Sequence, residues 1–143
     1  MGLMDSPMPE PSDDITRLTG SERPVDALAP WPGVPRVLTL EQLRSVLGDD
    51  RALWREMLKL LVTSSVPLLQ ALDAAIAEGD AHAVRRGAHK LKGSAATLGA
   101  DEIAQFCGSL ERMAAHGLLD GAEGLRGEIA RSIQRLAVTI HTL

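Results

Sequence analysis

The chain has 143 residues, 45% of them apolar, which is enough for one domain with a core of its own. Its formal net charge of −4 is opposite in sign to the basic surface that binds nucleic acid, so we expect no nucleic-acid partner. The chain has one cysteine, no secretory-signal layout and no apolar run near the roughly 20 residues of a bilayer span. These features predict a cytoplasmic protein without direct membrane insertion.

The N-terminal quarter differs in composition from the rest of the chain. Residues 1–36 hold seven of the eight prolines, together with acidic residues and no sustained apolar periodicity. This composition is typical of a disordered segment or a linker. We therefore expect the folded domain to occupy residues 37–143.

A short helix is predicted at the start of the folded domain. Thr39 is followed three residues later by Gln42, the spacing of a capping box, and Gly48 supplies a stop. These signals predict a helix over residues 39–47 with its N-terminus capped by its own side chains.

Two long helices joined by a tight turn follow. Apolar residues recur at the helical three-four spacing from 49 to 78. Pro67 within this run predicts a bend rather than two elements, because proline removes only one backbone donor. Gly79 and Asp80 then supply a C-cap and the next N-cap. The apolar seam of the second long helix, which ends before Gly99, consists of Ala81, Val84, Ala88, Leu91, Ala95 and Leu98.

Two further amphipathic helices complete the pattern, one over residues 101–115 and one from about residue 122 to the end. Four long amphipathic helices with short loops must be antiparallel neighbours. The sequence therefore predicts an all-α fold, an antiparallel up-down-up-down four-helix bundle with the short N-terminal helix capping one end. Cys107 lies on an apolar seam and is assigned to the core.

The third predicted helix carries a histidine on a positively charged face. His89 follows the seam residue Ala88, so it lies about 100° around the helix from the core stripe. Arg85, Arg86 and Lys92 lie within one turn of it on the same face. Taken alone, such a face is ordinarily a solvated surface.

A glycine in the same helix favours a functional face. Gly93 costs about 1 kcal/mol relative to alanine in a helix interior, which calls for a reason such as close approach of another backbone. The helix region also carries one acidic residue, Asp80, against four basic ones: Arg85, Arg86, Lys90 and Lys92. A small electropositive patch is thus predicted on an acidic protein.

The residues around the histidine resemble a known family motif. His89, Leu91, Lys92, Gly93 and Gly99 reproduce the pattern H-x-L-K-G-x-x-x-x-x-G of the histidine-containing phosphotransfer (HPt) domains of multistep two-component phosphorelays. The resemblance implies a four-helix bundle that accepts a phosphoryl group on its histidine from a receiver-domain aspartate and passes it to another receiver.

The resemblance covers roughly residues 38–143 and implies roles for three side chains. His89 would be phosphorylated, because its outer ring nitrogen can attack a phosphoryl group in line. Lys92, one turn away, would stabilise the charge of the transferred group. Glu111 would reach the inner ring nitrogen across the helix pair and fix the tautomer.

Other residues of this face are expected to contact the receiver. Gly93 would let the receiver's active-site loops approach the ring, and the positive side chains Arg85, Arg86 and Lys90 would attract an anionic receiver face. The magnesium of the family belongs to the receiver, so neither a metal nor another cofactor is expected here. The sequence has no glycine-rich ATP-binding segment, which predicts a phosphoryl carrier without kinase activity of its own.

Three alternatives to this interpretation make different demands on the sequence. His82 and His89 are about 10 Å apart along the helix axis, too far to share a metal ion. In the dimerisation helices of sensor kinases an acidic residue typically follows the histidine, whereas Lys90 does so here. A non-catalytic helical adaptor that docks a receiver or kinase without phosphorylation stays open. We expect a monomer, and the initial methionine favours a free-standing protein over the C-terminal part of a hybrid kinase.

Overall fold

The structure, a computed structural model, describes residues 36–143. Five helices follow one another along this part of the chain: α1 (Leu40–Leu47), α2 (Arg51–Glu78), α3 (Ala81–Thr97), α4 (Asp101–Ala115) and α5 (Ala122–Ile140). Residues 36–143 contain no strand, so the all-α prediction is confirmed. Residues 1–35, on which nearly all of the predicted linker falls, lie outside the described residues.

The four long helices form a closed ring of antiparallel neighbours. Each of α2, α3 and α4 packs against the next helix in the chain, and α5 returns to pack against α2. The loops are short, so consecutive helices must reverse direction. The short helix α1 packs on α2 and α3 and closes one end of the bundle.

The caps of α2 and α3 have the predicted chemistry. The Asp50 carboxylate accepts a hydrogen bond from the backbone of Leu53 at the start of α2. Gly79, at φ 70°, ends α2 in the left-handed conformation, and Asp80 then caps α3. The helix α2 continues through Pro67 as a single element.

The capping box predicted for α1 is wrong. Thr39 occupies the N-cap position, but its hydroxyl donates to the carboxylate of Asp101 at the start of α4. The Gln42 amide likewise donates to the backbone carbonyl of Thr97, 3.2 Å away, rather than to its own helix. The Thr39 backbone N–H donates to the carbonyl of Gly99 at 2.8 Å. Hydrogen-bond acceptors that the fold brings close thus replace the acceptors and donors of α1 itself. As a result, these side chains connect α1 to the α3–α4 turn.

The core runs along the inner faces of all the helices. Its largest fully buried apolar side chains are Trp54, Leu43, Leu58, Leu72, Leu91, Ile103, Leu110, Ile129, Leu136 and Val84. Cys107 is fully buried as well, so its assignment to the core is confirmed. The predicted seam of α3 is buried from Val84 to Leu98, whereas Ala81 is only partly buried.

The helix α2 is more apolar than the sequence analysis predicted. Over an 18-residue window its mean hydropathy reaches 1.6, which by length and composition alone would allow it to cross a membrane. The expectation that no apolar run approaches bilayer-spanning length therefore does not hold for α2. Trp54, Leu58 and Leu72 on this helix are buried in the bundle. A core helix of a bundle can therefore be as long and as apolar as a membrane-spanning helix.

Candidate functional site

The helix α3 presents its histidine to the outside of the bundle. Ala88 and Leu91 are buried against the core, and His89, about 100° around the helix from Ala88, lies outside this buried stripe. The His89 side chain is 68% exposed. One ring edge is therefore open to a macromolecular partner.

A single carboxylate on α4 contacts both the histidine and the lysine of α3. Glu111 Oε2 lies 2.7 Å from His89 Nδ1, and Glu111 Oε1 lies 2.6 Å from Lys92 Nζ. A carboxylate can only accept at this distance, so Nδ1 carries the ring proton of the neutral imidazole. The lone pair of that tautomer is on Nε2, the nitrogen that Glu111 does not contact.

Both helices that carry this contact have small buried residues. Ala88 and Ala95 of α3 are buried, as are Cys107 and Gly108 of α4. Small side chains let the backbones approach, so the α3–α4 pair is the most extensively packed pair of the bundle. The rigid hairpin then fixes the position of Glu111 relative to the ring.

The electrostatics of this cluster keep its carboxyl group ionised. The pKa of Glu111 is lowered from its ordinary value of 4.5, chiefly by the hydrogen bond from Lys92. Desolvation opposes this shift, and the hydrogen bond from His89 adds a further, smaller lowering of the pKa. At neutral pH the cluster therefore holds a negative carboxylate between a positive lysine and the imidazole N–H.

An open depression with a basic rim lies beside the ring. It has a volume of about 570 Å³ and is lined by Arg85, Arg86, His89, Lys90 and Glu111. The rim cations Arg85, Arg86 and Lys90 form no ion pair within residues 36–143. No carboxylate of the described part of the chain therefore neutralises these charges.

Gly93 lies one turn after the histidine on the exposed surface of α3. A Cβ atom at this position would have no described heavy atom within 4 Å. Packing within residues 36–143 therefore does not require a glycine here. The consequence of the missing side chain is a flat surface next to the ring.

Comparisons with known proteins agree with this arrangement. A sequence model of the Hpt domain family matches residues 56–139, more than half of the chain. The chain belongs to the Hpt domain family. The sensor protein TorS of Escherichia coli (strain K12) is 34% identical to it over 105 residues, which are 73% of this chain but only 11% of TorS.

A solved structure gives the same result for the fold. The histidine-containing phosphotransfer protein B (HptB) of Pseudomonas aeruginosa PAO1 superposes with a TM-score of 0.69 and 28% sequence identity. The match covers 76% of this chain and 95% of HptB. The chain thus contains an Hpt domain, a class of domain with a histidine phosphotransfer role in phosphorelays that interacts with receiver domains.

The region matched to the Hpt family contains every site residue that the sequence pointed to. Within it the Hpt bundle brings His89 and Lys92 into contact with Glu111. It also places Arg85, Arg86 and Lys90 along the depression beside the ring. Gly93, the residue after Lys92, lies on the same exposed side of α3, with open space around the position of a Cβ atom.

The structure adds a residue to this Hpt site that the sequence analysis passed over. The aliphatic part of Lys92 and the Arg112 guanidinium both lie next to the position that a Cβ atom of Gly108 would take on α4. The available signal was a glycine in a helix interior three residues before Glu111, which is the same signal that drew attention to Gly93.

The cysteine of the Hpt domain lies behind this cluster. Burial raises the pKa of the Cys107 thiol to about 12, although the nearby Lys92 charge acts in the opposite direction. The thiol is therefore protonated at neutral pH and has no part in nucleophilic chemistry.

Proposed function

We propose that His89 is the phosphorylated residue, and that this Hpt protein accepts a phosphoryl group on it from one receiver aspartate and passes it to another. The observation that carries the proposal is the contact between His89 Nδ1 and Glu111, 2.7 Å apart, on a ring that is otherwise exposed. It directs the free lone pair of Nε2 to the side from which a receiver would approach.

The transfer to His89 is an in-line displacement. The Nε2 lone pair attacks the phosphorus of the aspartyl phosphate, the P–O bond to the aspartate breaks, and its electron pair stays on the aspartate carboxylate. The ring, now bonded to phosphorus and still holding the proton on Nδ1, gains positive charge. The Glu111 carboxylate offsets this charge because it faces the Nδ1–H group.

The return transfer uses the same contacts. An aspartate oxygen of the second receiver attacks the phosphorus, the P–Nε2 bond breaks, and the electron pair returns to Nε2. Because Glu111 keeps the proton on Nδ1, the leaving group is a neutral imidazole. Lys92 donates to Glu111 and has further N–H donors for the oxygens of the phosphoryl group.

We further propose that the receiver docks over the basic depression beside His89. Arg85, Arg86 and Lys90 would attract its anionic active-site face, and the bare surface at Gly93 would admit its loops. The protein would act as a cytoplasmic monomer, without a metal or cofactor of its own and without inserting into a membrane. Its acidic net charge and its lone cysteine support this setting.

A transfer experiment tests the proposal. Receivers of the source organism are phosphorylated with labelled phosphate, mixed with the protein, and the label on the protein is assayed for lability in acid and stability in alkali. We expect labelling of the wild type and of His82→Gln, whose exposed histidine lies two turns earlier on α3. The variant His89→Gln should take no label.

Two outcomes would overturn the proposal. Labelling of His89→Gln would place the phosphoryl group elsewhere. Receivers that bind the wild-type protein but never label it would instead indicate a non-catalytic helical adaptor.

A further inference from the structure

The helix α4 contains a glycine at a position where the backbone conformation does not require one. Gly108 lies in the middle of α4, and it is not among the described glycines with positive φ. Glycine destabilises a helix interior relative to alanine. Since the backbone conformation gives no reason for it, the reason has to be sought in what lies over this position.

The side chains of two cations lie over the bare backbone. A Cβ atom at Gly108 would stand 3.6 Å from Lys92 Cδ and 3.5 Å from Arg112 Nη1. Both are ordinary van der Waals distances, so one methyl group would fit. A longer side chain would occupy the space that the Lys92 stem now fills.

We propose that Gly108 is a positioning residue for the site: its missing side chain leaves a seat on α4 in which the Lys92 stem lies, and this seat directs Lys92 Nζ to Glu111. Gly108 and Glu111 are three residues apart and therefore share one face of α4. The stem crosses from α3 over the first of them, and Nζ reaches Oε1 of the second at 2.6 Å. The Lys92 side chain is 38% exposed, so the contact of its stem with α4 limits the conformations open to it and supports the ion pair with Glu111.

The glycines elsewhere in the described helices do not offer such a seat. Around Gly93 and Gly124 a Cβ atom would meet nothing within 4 Å, and at Gly87 it would meet the apolar side chain of Leu72. At Gly127 it would meet the Arg131 guanidinium, which comes from the next turn of the same helix. Gly108 is thus set apart because the Lys92 side chain over it comes from the neighbouring helix and belongs to the site. The consequence for phosphoryl transfer rests on the proposed function, whereas the seat itself is a property of the protein alone.

The test follows the Glu111 carboxyl group, since Lys92 is its principal partner. Carbon-13 NMR of the side-chain carboxyl groups gives the Glu111 titration in the wild type, Gly108→Ala, Gly108→Leu and Lys92→Met. In Gly108→Leu the pKa of Glu111 should rise to the value found in Lys92→Met, because both variants remove the lysine contact. In Gly108→Ala it should stay at the wild-type value, because one methyl group fits beneath the stem.

A double variant separates the seat from other effects of leucine. Gly108→Leu combined with Lys92→Met should titrate like Lys92→Met alone, since the seat acts only through the lysine. A wild-type titration in Gly108→Leu, or a further rise in the double variant, would overturn the proposal. If Gly108→Leu does not fold, Gly108→Met carries the same prediction with a more flexible side chain.

Transfer kinetics keep this inference separate from the proposed function. If His89 is the acceptor, labelling of Gly108→Leu should be slowed by the same factor as that of Lys92→Met, while Gly108→Ala keeps the wild-type rate. If no receiver labels the wild type, the proposed function fails, and the NMR titration still decides whether the seat exists.

Discussion

The chemistry of this protein at the residue scale depends on one carboxylate with two donors. Glu111 holds His89 through one oxygen and Lys92 through the other. The imidazole needs a defined tautomer and the transferred group needs a positive charge nearby. A single glutamate on the neighbouring helix fixes the tautomer of the imidazole and holds the positive charge of Lys92 in place.

The ionisation of Glu111 predicts a pH-dependent contribution to stability. Its pKa is lowered in the folded protein, so the carboxylate stabilises the fold above its ordinary value of 4.5, and this contribution is lost as the pH falls through the lowered pKa. We expect Glu111→Gln to cost about 1 kcal/mol of unfolding free energy at pH 7. The difference from the wild type should shrink below pH 4.5 and vanish in stronger acid.

Urea unfolding at a series of pH values measures this difference. Glu128→Gln is the matched control, because Glu128 forms an exposed pair with Arg131 within a single helix turn. It should change the unfolding free energy by a few tenths of a kcal/mol at most. A deficit of Glu111→Gln that stays constant from pH 7 into strong acid would show that the lost group is not the ionised carboxylate.

At the scale of elements, the turn between α3 and α4 fixes the site. Gly99 ends α3 at φ 77°, and a Cβ atom there would stand 2.6 Å from the backbone oxygen of Thr39. The segment before α1 also meets this turn through Arg36, whose carbonyl accepts from the Glu102 backbone at 2.8 Å. The hairpin that aligns Glu111 with the ring is therefore held by a segment outside the matched family region.

This packing predicts an unusual cost for alanine at the turn. Gly99→Ala should lose about 2 kcal/mol or more of unfolding free energy, from left-handed strain together with the clash against Thr39. Gly79→Ala is the control, because Gly79 has φ 70° and open space around it. This variant should lose only the free energy of left-handed strain, about 1 kcal/mol. Equal losses in the two variants, measured by urea unfolding, would show that the contact with Thr39 carries no energy.

The elements were predictable from the sequence to the extent that their signals are local. The apolar spacing of α2 and α3 and the caps at Gly79 and Asp80 depend on neighbouring residues, and the structure has them as expected. The capping box at Thr39 failed because its hydroxyl had a second acceptor, Asp101, 62 positions away in the chain. The local sequence contains no information about a hydrogen-bond acceptor that is distant in the chain and close only in the folded protein.

The site likewise has features that local sequence predicts and features that depend on the fold. The exposure of His89 follows from the seam residue before it, which is why the ring could be placed on the accessible side of α3. That Lys92 bonds to Glu111, and that its stem lies over Gly108, depends on how α3 and α4 face each other. Spacing along one helix carries no such information.

At the scale of the whole molecule, charge is distributed unevenly. The chain is acidic, with a net charge of −4, yet the rim beside the histidine is formed by Arg85, Arg86 and Lys90. Such a local positive region on an acidic protein favours approach of an anionic surface in one orientation. The bundle provides the rigid support, since buried side chains from all five helices meet in one core.

The central claim is that Glu111 fixes the imidazole so that its outer nitrogen carries the phosphoryl group. The most direct measurement is phosphorus and nitrogen NMR of the protein after labelling by a phosphorylated receiver, with nitrogen-15 in the histidines. The account predicts one phosphohistidine, at His89, with phosphorus coupled to Nε2 and the proton on Nδ1. Phosphorus bonded to Nδ1 of His89, or to another residue, would contradict it.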